Sequence, residues 1–299
     1  MFPLPFEDLK VTTQTYVAHT NLSIPLQAFY DAVNCAPMKQ PTNVKKISIA
    51  GENLKDGDII YIQKGADSKG IDRGVKKRQM LNVVSIIIKY DSKVYNVKIP
   101  NSGKIQMTGC RGLESVIFIL GAIIRILKKN SILVLKDDKK VVVCYSICVM
   151  SNVNIEVPFK INRDKMHSFI NLKTEHISIL EKSVGYVGVN VKILSEVESK
   201  EESTIDKLTF TKSGACTVEP ATFREYLEQY EEKNKKYKKD MYNSFLIFES
   251  GKTIMSGCSS FLNRKDAYET FVKIIQCSKE EFALNRYSPE SINERALPT

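Results

Sequence analysis

The sequence predicts an α+β protein made of two related halves, each an antiparallel set of strands with one long helix. Three observations carry this. The stretch "NSGKIQMTGC" at 101–110 returns 148 residues later as "ESGKTIMSGC" at 249–258. Each copy reads as strand, Ser-Gly turn, strand, with Gly supplying the backbone freedom of a hairpin turn. Each is followed by a helical pattern of similar length, "GLESVIFILGAIIRILKK" after the first and "FLNRKDAYETFVKIIQ" after the second.

The other elements repeat in the same order. The first half opens with the strand-like "TTQTYVAHTNLSI", and Pro25 in "PLQAFYDAV" suits the first turn of a helix, where its missing N–H costs nothing. The strand "NVVSIIIKY" leads to the first hairpin. The helix that follows, near 113–128, ends in basic residues that suit the negative end of a helix dipole. The second half opens with "KKVVVCYSICVMSNVNIEVPFKI", and Asn162 is placed to cap the helix in "RDKMHSFI". "YVGVNVKIL" matches "NVVSIIIKY" of the first half, and the closing helix, near 263–276, follows apolar residues at helical intervals: Phe261, Leu262, Tyr268, Phe271, Val272 and Ile275. A repeat this long exceeds a solenoid unit and predicts a duplicated unit with a pseudo-twofold relation. Residues 1–138 form the first repeat, 139–277 the second, and 278–299 read as a loosely ordered tail.

The halves carry different insertions. In 39–80, "KGADSKGIDRGVKKRQ" is basic and Gly-rich and reads as a mobile loop. In 195–240, the acidic "SEVESKEES" leads to "ATFREYLEQYEEKNKKYKKD", where Thr222 and Glu225 have the spacing of a capping box. The Lys run at 233–239 reads as a solvated helix end.

Several function classes are disfavoured. With 299 residues and 43% hydrophobic content the chain can bury a substantial core. Its longest apolar run, 116–124, is well short of the roughly 20 residues that span a bilayer, so no membrane partner is expected. The N-terminus lacks a secretory leader, and the seven Cys lack CxxC spacing, which together suit a reducing, intracellular setting. His19, His167 and His176 have no partner at a metal-ligand or triad interval. No metal, cofactor or catalytic group is expected. A phosphate-binding loop is ruled out because its first Gly would fall on Lys98 or Leu246. The net charge of +10 favours a polyanionic partner such as nucleic acid or an anionic membrane surface.

The segments "SGKIQMTGCRGLESVIFILGAIIRIL", "LIFESGKTIMSGCSSFLNRKDAYETFVKII" and "NIEVPFKI" resemble the TATA-box-binding protein family. The resemblance covers both halves but neither the insertions nor the tail, and the Lys-, Ile- and Asn-rich composition is similar to versions carried by large DNA viruses. It implies a monomeric, ten-stranded, saddle-shaped sheet or a close variant, with helices on the convex face. The concave face would take the minor groove of A·T-rich promoter DNA, where sequence is read mainly through shape and deformability. Phe side chains at the ends would wedge between base steps and kink the duplex. The implied role is a non-enzymatic transcription initiation factor. Its implied partners are double-stranded DNA, a B-type general transcription factor and RNA polymerase. Its implied location is the nucleus or, for a viral protein, a cytoplasmic virus factory.

Carried over residue by residue, Phe248 matches a wedge position and Tyr186 its partner. Leu246, Ile254 and Ser256 would face the groove in the second half, and Gln106 and Thr108 in the first. Ser102, Lys104, Ser250 and Lys252, at the turns, are candidates for phosphate contact, which positions without reading sequence. Pro100 stands at the first-half wedge position, with Met80, Leu81 or Val83 as its partner. The Asn that the family places in each opening strand aligns with Thr15 and with Cys148, and these with Val17 and Met150, two residues further along each strand, are the DNA-binding candidates there. These departures motivate a second reading, a saddle-fold protein–protein interaction module with reduced or lost DNA binding. A third, an appendage of a nucleic-acid enzyme, finds no catalytic constellation in the sequence.

Overall fold

The computed structural model describes residues 3–38, 53–71, 81–181, 188–195, 200–211, 213–230, 241–260 and 263–284. The first repeat contains β1 (Val11–Thr20), β2 (Leu22–Ser23), α1 (Leu26–Ala32), β3 (Ile59–Lys64), β4 (Asp67–Gly70), β5 (Val83–Tyr90), β6 (Lys93–Pro100), β7 (Lys104–Cys110), α2 (Leu113–Lys129) and β8 (Val134–Leu135). After it come β9 (Val142–Glu156), α3 (Arg163–Lys173), β10 (Ile177–Ile179), β11 (Gly188–Ser195), β12 (Thr204–Phe210), β13 (Cys216–Thr222), α4 (Phe223–Gln229), β14 (Met241–Phe248), β15 (Lys252–Gly257), α5 (Arg264–Cys277) and α6 (Lys279–Phe282).

The chain divides discontinuously into two units. The first-repeat unit is Thr13–Met150 with Ser199–Lys235, and the second-repeat unit is Met1–Thr12, Ser151–Glu198 and Lys236–Thr299. Residues 200–211 and 213–230 therefore pack with the first repeat although they interrupt the sequence of the second. The reason is β12, which pairs with β9 over 142–146 and sends Leu208 and Phe210 into the first-repeat core. A boundary drawn at 138/139 on the linear sequence does not follow this packing.

Each repeat contributes five antiparallel strands in one order, β3-β5-β6-β7-β1 and β10-β11-β14-β15-β9. Their registers match. Thr15 faces Thr108, which faces Asn96; in the other unit Asn152 faces Ser256, which faces Ser244. Likewise Val17, Gln106 and Lys98 correspond to Asn154, Ile254 and Leu246. Three further strands, β4, β12 and β13, extend the sheet. The segment read as a mobile loop is thus partly regular structure: Ile59–Lys64 form β3, the counterpart of β10, and Asp67–Gly70 fold back on it as β4.

The duplicated turn has a structural reason. The Thr20 N–H donates to the Gly103 carbonyl (3.1 Å) and the Ile24 N–H to that of Asn101 (3.0 Å); 137 residues on, the Val157 N–H donates to Gly251 (3.0 Å) and the Ile161 N–H to Glu249 (2.9 Å). Each turn is a socket for the chain leaving the opening strand. Gly103 has φ +71° and Gly251 φ +89°. A Cβ on Gly103 would collide with the Leu22 carbonyl oxygen, and one on Gly251 would come 2.7 Å from that of Phe159. Glycine satisfies both the left-handed backbone and the close approach.

In each unit one face of the sheet is covered by helices. Val116, Ile119, Leu120, Ile123 and Leu127 of α2, at helical spacing, pack with Ile86, Val97, Ile105 and Met107. In the second-repeat unit Tyr268, Phe271, Val272 and Ile275 of α5 pack with Val153, Val191, Phe245 and Met255. Asn162 caps α3 as expected, accepting from the Lys165 N–H (3.0 Å), and Thr222 and Glu225 form the capping box of α4. Pro25 sits at the N-cap of α1, one position before the first turn. Residues 278–284, expected to begin a loose tail, are held in place: Phe282 is fully buried beside Phe169, and the Leu284 N–H donates to the Lys160 carbonyl (2.9 Å). The Lys run at 233–239, Phe261, Leu262 and residues 285–299 lie outside the described residues.

Candidate nucleic-acid interface

Strand alternation puts the core on one face of each sheet and leaves the other face to solvent. On β14, Phe245 and Ile247 are fully buried while Ser244, Leu246 and Phe248 are half-buried on the opposite face. On β15, Thr253 and Met255 point inward, and Lys252, Ile254 and Ser256 point outward. Leu246, Ile254 and Ser256 thus lie on the face away from the core. Gly188 sits opposite Phe248 in register, and a Cβ there would come 2.6 Å from Leu246 Cδ1. The glycine therefore gives the outward-facing Leu246 its room. Ser250 and Lys252 are exposed at the turn, and Tyr186 lies outside the described residues.

In the first-repeat unit the open face carries Lys104, Gln106 and Thr108 of β7, Asn96, Lys98 and Pro100 of β6, and Thr15 and Val17 of β1. Ser102 is exposed at the turn. Pro100 pairs with Val83 as Phe248 pairs with Gly188. Tyr186, two residues before Gly188, thus corresponds to Leu81, two before Val83. Of the three candidate partners for Pro100, Val83 is the one paired with it in register; Leu81 is 79% exposed and precedes the strand, and Met80 is outside the described residues.

The opening strand of the second repeat differs from the expected alignment. Cys148 belongs to the first-repeat core cluster and is buried, and Met150 lies beyond the paired stretch 151–156. The register counterparts of Thr15 and Val17 are Asn152 and Asn154. The core-facing positions of β9 are even-numbered through Cys148 and odd-numbered from Ser151 to Ile155, so the strand exchanges faces between 148 and 151. Asn152 and Asn154, missed at the sequence level, lie on the open face. So does Asn190, opposite Leu246. The Oδ1 atoms of Asn152 and Asn190 are buried without a hydrogen-bond partner. The signal for Asn152 and Asn154 was alternation about the matched hairpin strand, once the spacing of 137 replaces the 133 that links Thr15 with Cys148.

In the first-repeat unit, burial pushes the Tyr145 and Tyr230 phenols above their usual range. Among the described residues no three His, Cys, Asp or Glu side chains stand where they could hold a metal ion, and no helix is long and apolar enough to cross a membrane.

The chain is therefore an α+β protein of two repeats, each with an antiparallel sheet covered by helices on one face. It is 27% identical over 230 residues, 74% of this chain and 67% of the other, to the uncharacterized protein 335L of Invertebrate iridescent virus 6. Among solved structures it is similar to Methanococcus jannaschii TBP, at 12% identity and a TM-score of 0.43, over 91% of this chain and 98% of that one. No protein-family model matches it.

Proposed function

We propose that this protein is a transcription initiation factor that binds and bends A·T-rich promoter duplex through its open sheet faces, and passes the bent DNA to a B-type factor and RNA polymerase. The observation that supports the reading most is the double occurrence of one strand register, each copy presenting apolar, hydroxyl and amide side chains on the face away from the helices. Such a face suits the minor groove, whose A·T pairs offer only acceptors to donors such as the amides of Asn152 and Asn154. Phe248, flanked by Leu246 and Ile254, has the chemistry of a wedge that unstacks a base step. Lys98, Lys104 and Lys252, with a net charge of +10, supply the attraction to phosphates.

The test is a titration of the full chain with A·T-rich and G·C-rich 30-base-pair duplexes at several salt concentrations, with bending read by energy transfer between end labels. Preference for the A·T-rich duplex together with shortening of its end-to-end distance is expected. A steep salt slope with no preference would leave backbone attraction alone. The interaction-module reading is favoured by the partial covering of the first-repeat open face by α4, and absence of binding to either duplex would select it.

A further inference from the structure

The two open faces carry the same register but are not equally bare. In the second-repeat unit Ile177 is 44% exposed and Glu156 is exposed. Their counterparts in the first-repeat unit, Tyr61 and His19, are each 7% exposed. Both insertions account for the difference. Tyr61 sits with Ile60, Ile71 and Ile87 in an apolar cluster, against which Met38, Leu54 and Val94 pack. His19 lies under α4: Tyr226 Oη is 2.7 Å from His19 Nδ1, the two rings meet edge-on at 4.7 Å, and the Tyr230 hydroxyl donates to the His19 carbonyl (2.8 Å). Tyr145, on the neighbouring β9, closes this wall with its ring 5.9 Å from that of Tyr226.

Between the walls lies a floor of Thr108, Asn96, Gln106, Lys98 and Ser85, with Val17 beside Gln106 and Thr15 buried at its edge. It spans four adjacent strands, β1, β7, β6 and β5, or roughly 14 Å at the usual strand spacing. For a sheet to reach base edges in a groove, both flanking backbones must pass on either side of the contact. Here those places are occupied, on one side by a helix about 10 Å thick and on the other by the Ile60–Ile87 cluster. Apart from Val17 the floor is polar, carries Lys98, and among the described residues has no carboxylate. Hydroxyls, amides and an ammonium at that depth match the oxygens of one sugar–phosphate strand.

We propose that the walled floor of the first-repeat unit holds the backbone of one DNA strand without reading base edges, and that sequence preference resides in the open face of the second-repeat unit. The inference rests on the DNA-binding reading above. It is tested with the full chain and the same two duplexes. Lys98→Ala and Gln106→Ala should weaken binding to both duplexes by the same factor, within about twofold, and Lys98→Ala should flatten the salt slope by about one unit. Ile254→Ala, at the register counterpart of Gln106, should instead lower the ratio of A·T-rich to G·C-rich affinity. A Gln106 variant that lowers that ratio as much as the Ile254 variant overturns the proposal. So do Lys98 and Gln106 variants that leave binding unchanged while Ile254→Ala lowers the ratio. If the unaltered chain binds neither duplex, the DNA-binding reading itself falls and this inference with it. Lys98 is exposed, so its variant tests contact with little risk to folding.

Discussion

Two phenylalanines three residues apart on β14 separate the fold from its function. Phe245 is fully buried and stacked on Phe271, with centroids 4.4 Å apart and planes 12° apart. Phe248, on the opposite face, is half-buried and is not part of that core cluster. Phe245→Ala removes a packed ring from the core, which costs about 3–5 kcal/mol, or a fall in Tm on the order of 10 °C for a domain of this size. Phe248→Ala exposes little that was covered and should shift Tm by only a few degrees. Its effect should appear in DNA affinity, as a loss of about 1–3 kcal/mol on an A·T-rich duplex, the scale of one stacking contact and equivalent to roughly 5- to 150-fold in Kd. Thermal unfolding and fluorescence anisotropy on the same preparations check both values. If Phe248→Ala lowers Tm as much as Phe245→Ala, with unchanged affinity per folded molecule, the ring is structural and the wedge assignment fails.

Gly251→Ala should destabilise by upwards of about 2 kcal/mol, because the left-handed backbone alone costs about 1–2 kcal/mol for an L side chain and the Phe159 carbonyl leaves no room for the methyl; a Tm within a degree of the parent would contradict the socket geometry. Asn152→Ala should reduce A·T preference by about 1 kcal/mol, the typical worth of one hydrogen bond, whereas Cys148→Ala should leave relative affinities unchanged; the opposite result would restore the alignment through Cys148. Desolvation raises the pKa of Asp206 above its reference value of 3.8, so the folded chain favours the protonated acid. That advantage is complete below 3.8 and is lost as pH rises through the folded pKa. Asp206→Asn should therefore be more stable than the parent near neutrality and lose that margin on acidification, and a margin independent of pH in thermal unfolding would show that the carboxyl is not responsible.

What the sequence made legible was what local chemistry fixes alone. The two Ser-Gly turns were readable because a positive-φ glycine leaves few substitutes, and α2 and α5 because their apolar residues recur at helical spacing. The cap at Asn162 and the box at Thr222 and Glu225 were readable because their acceptor geometry is confined to four residues. Non-local pairing was not readable. Nothing local to Ile59–Lys64 says that this run lies beside β5, and a Gly-rich, basic flank made it look like loop. Nor does the composition of 199–235 reveal that Leu208 and Phe210 belong in the core of the other repeat. The buried Phe282 is hidden in the segment from 278 because one ring in a polar stretch has no periodicity to announce it.

The displaced Asn pair shows how a repeat can hide its own site. Pro25 and Pro158 are 133 residues apart, the same spacing as Thr15 and Cys148, and invite an ungapped match between the opening strands. The structure matches Pro25 with Asn162 instead, each at the N-cap of its helix, and Pro158 is exposed. The four-residue difference is taken up within β9, whose residues 142–148 serve the first-repeat core and 151–156 the second. Their inward positions differ in parity, so the strand must exchange faces between them. With the parity of the earlier stretch continued, Asn152, Asn154 and Glu156 would be driven into the core of the second-repeat unit, and Val153 and Ile155 would be turned out of it. Burying two amides and a carboxylate without partners would cost several kcal/mol, far more than one irregular backbone step. The face exchange therefore lets one strand serve two cores, and it also delivers Asn152 and Asn154 to the open face beside Ser256 and Ile254.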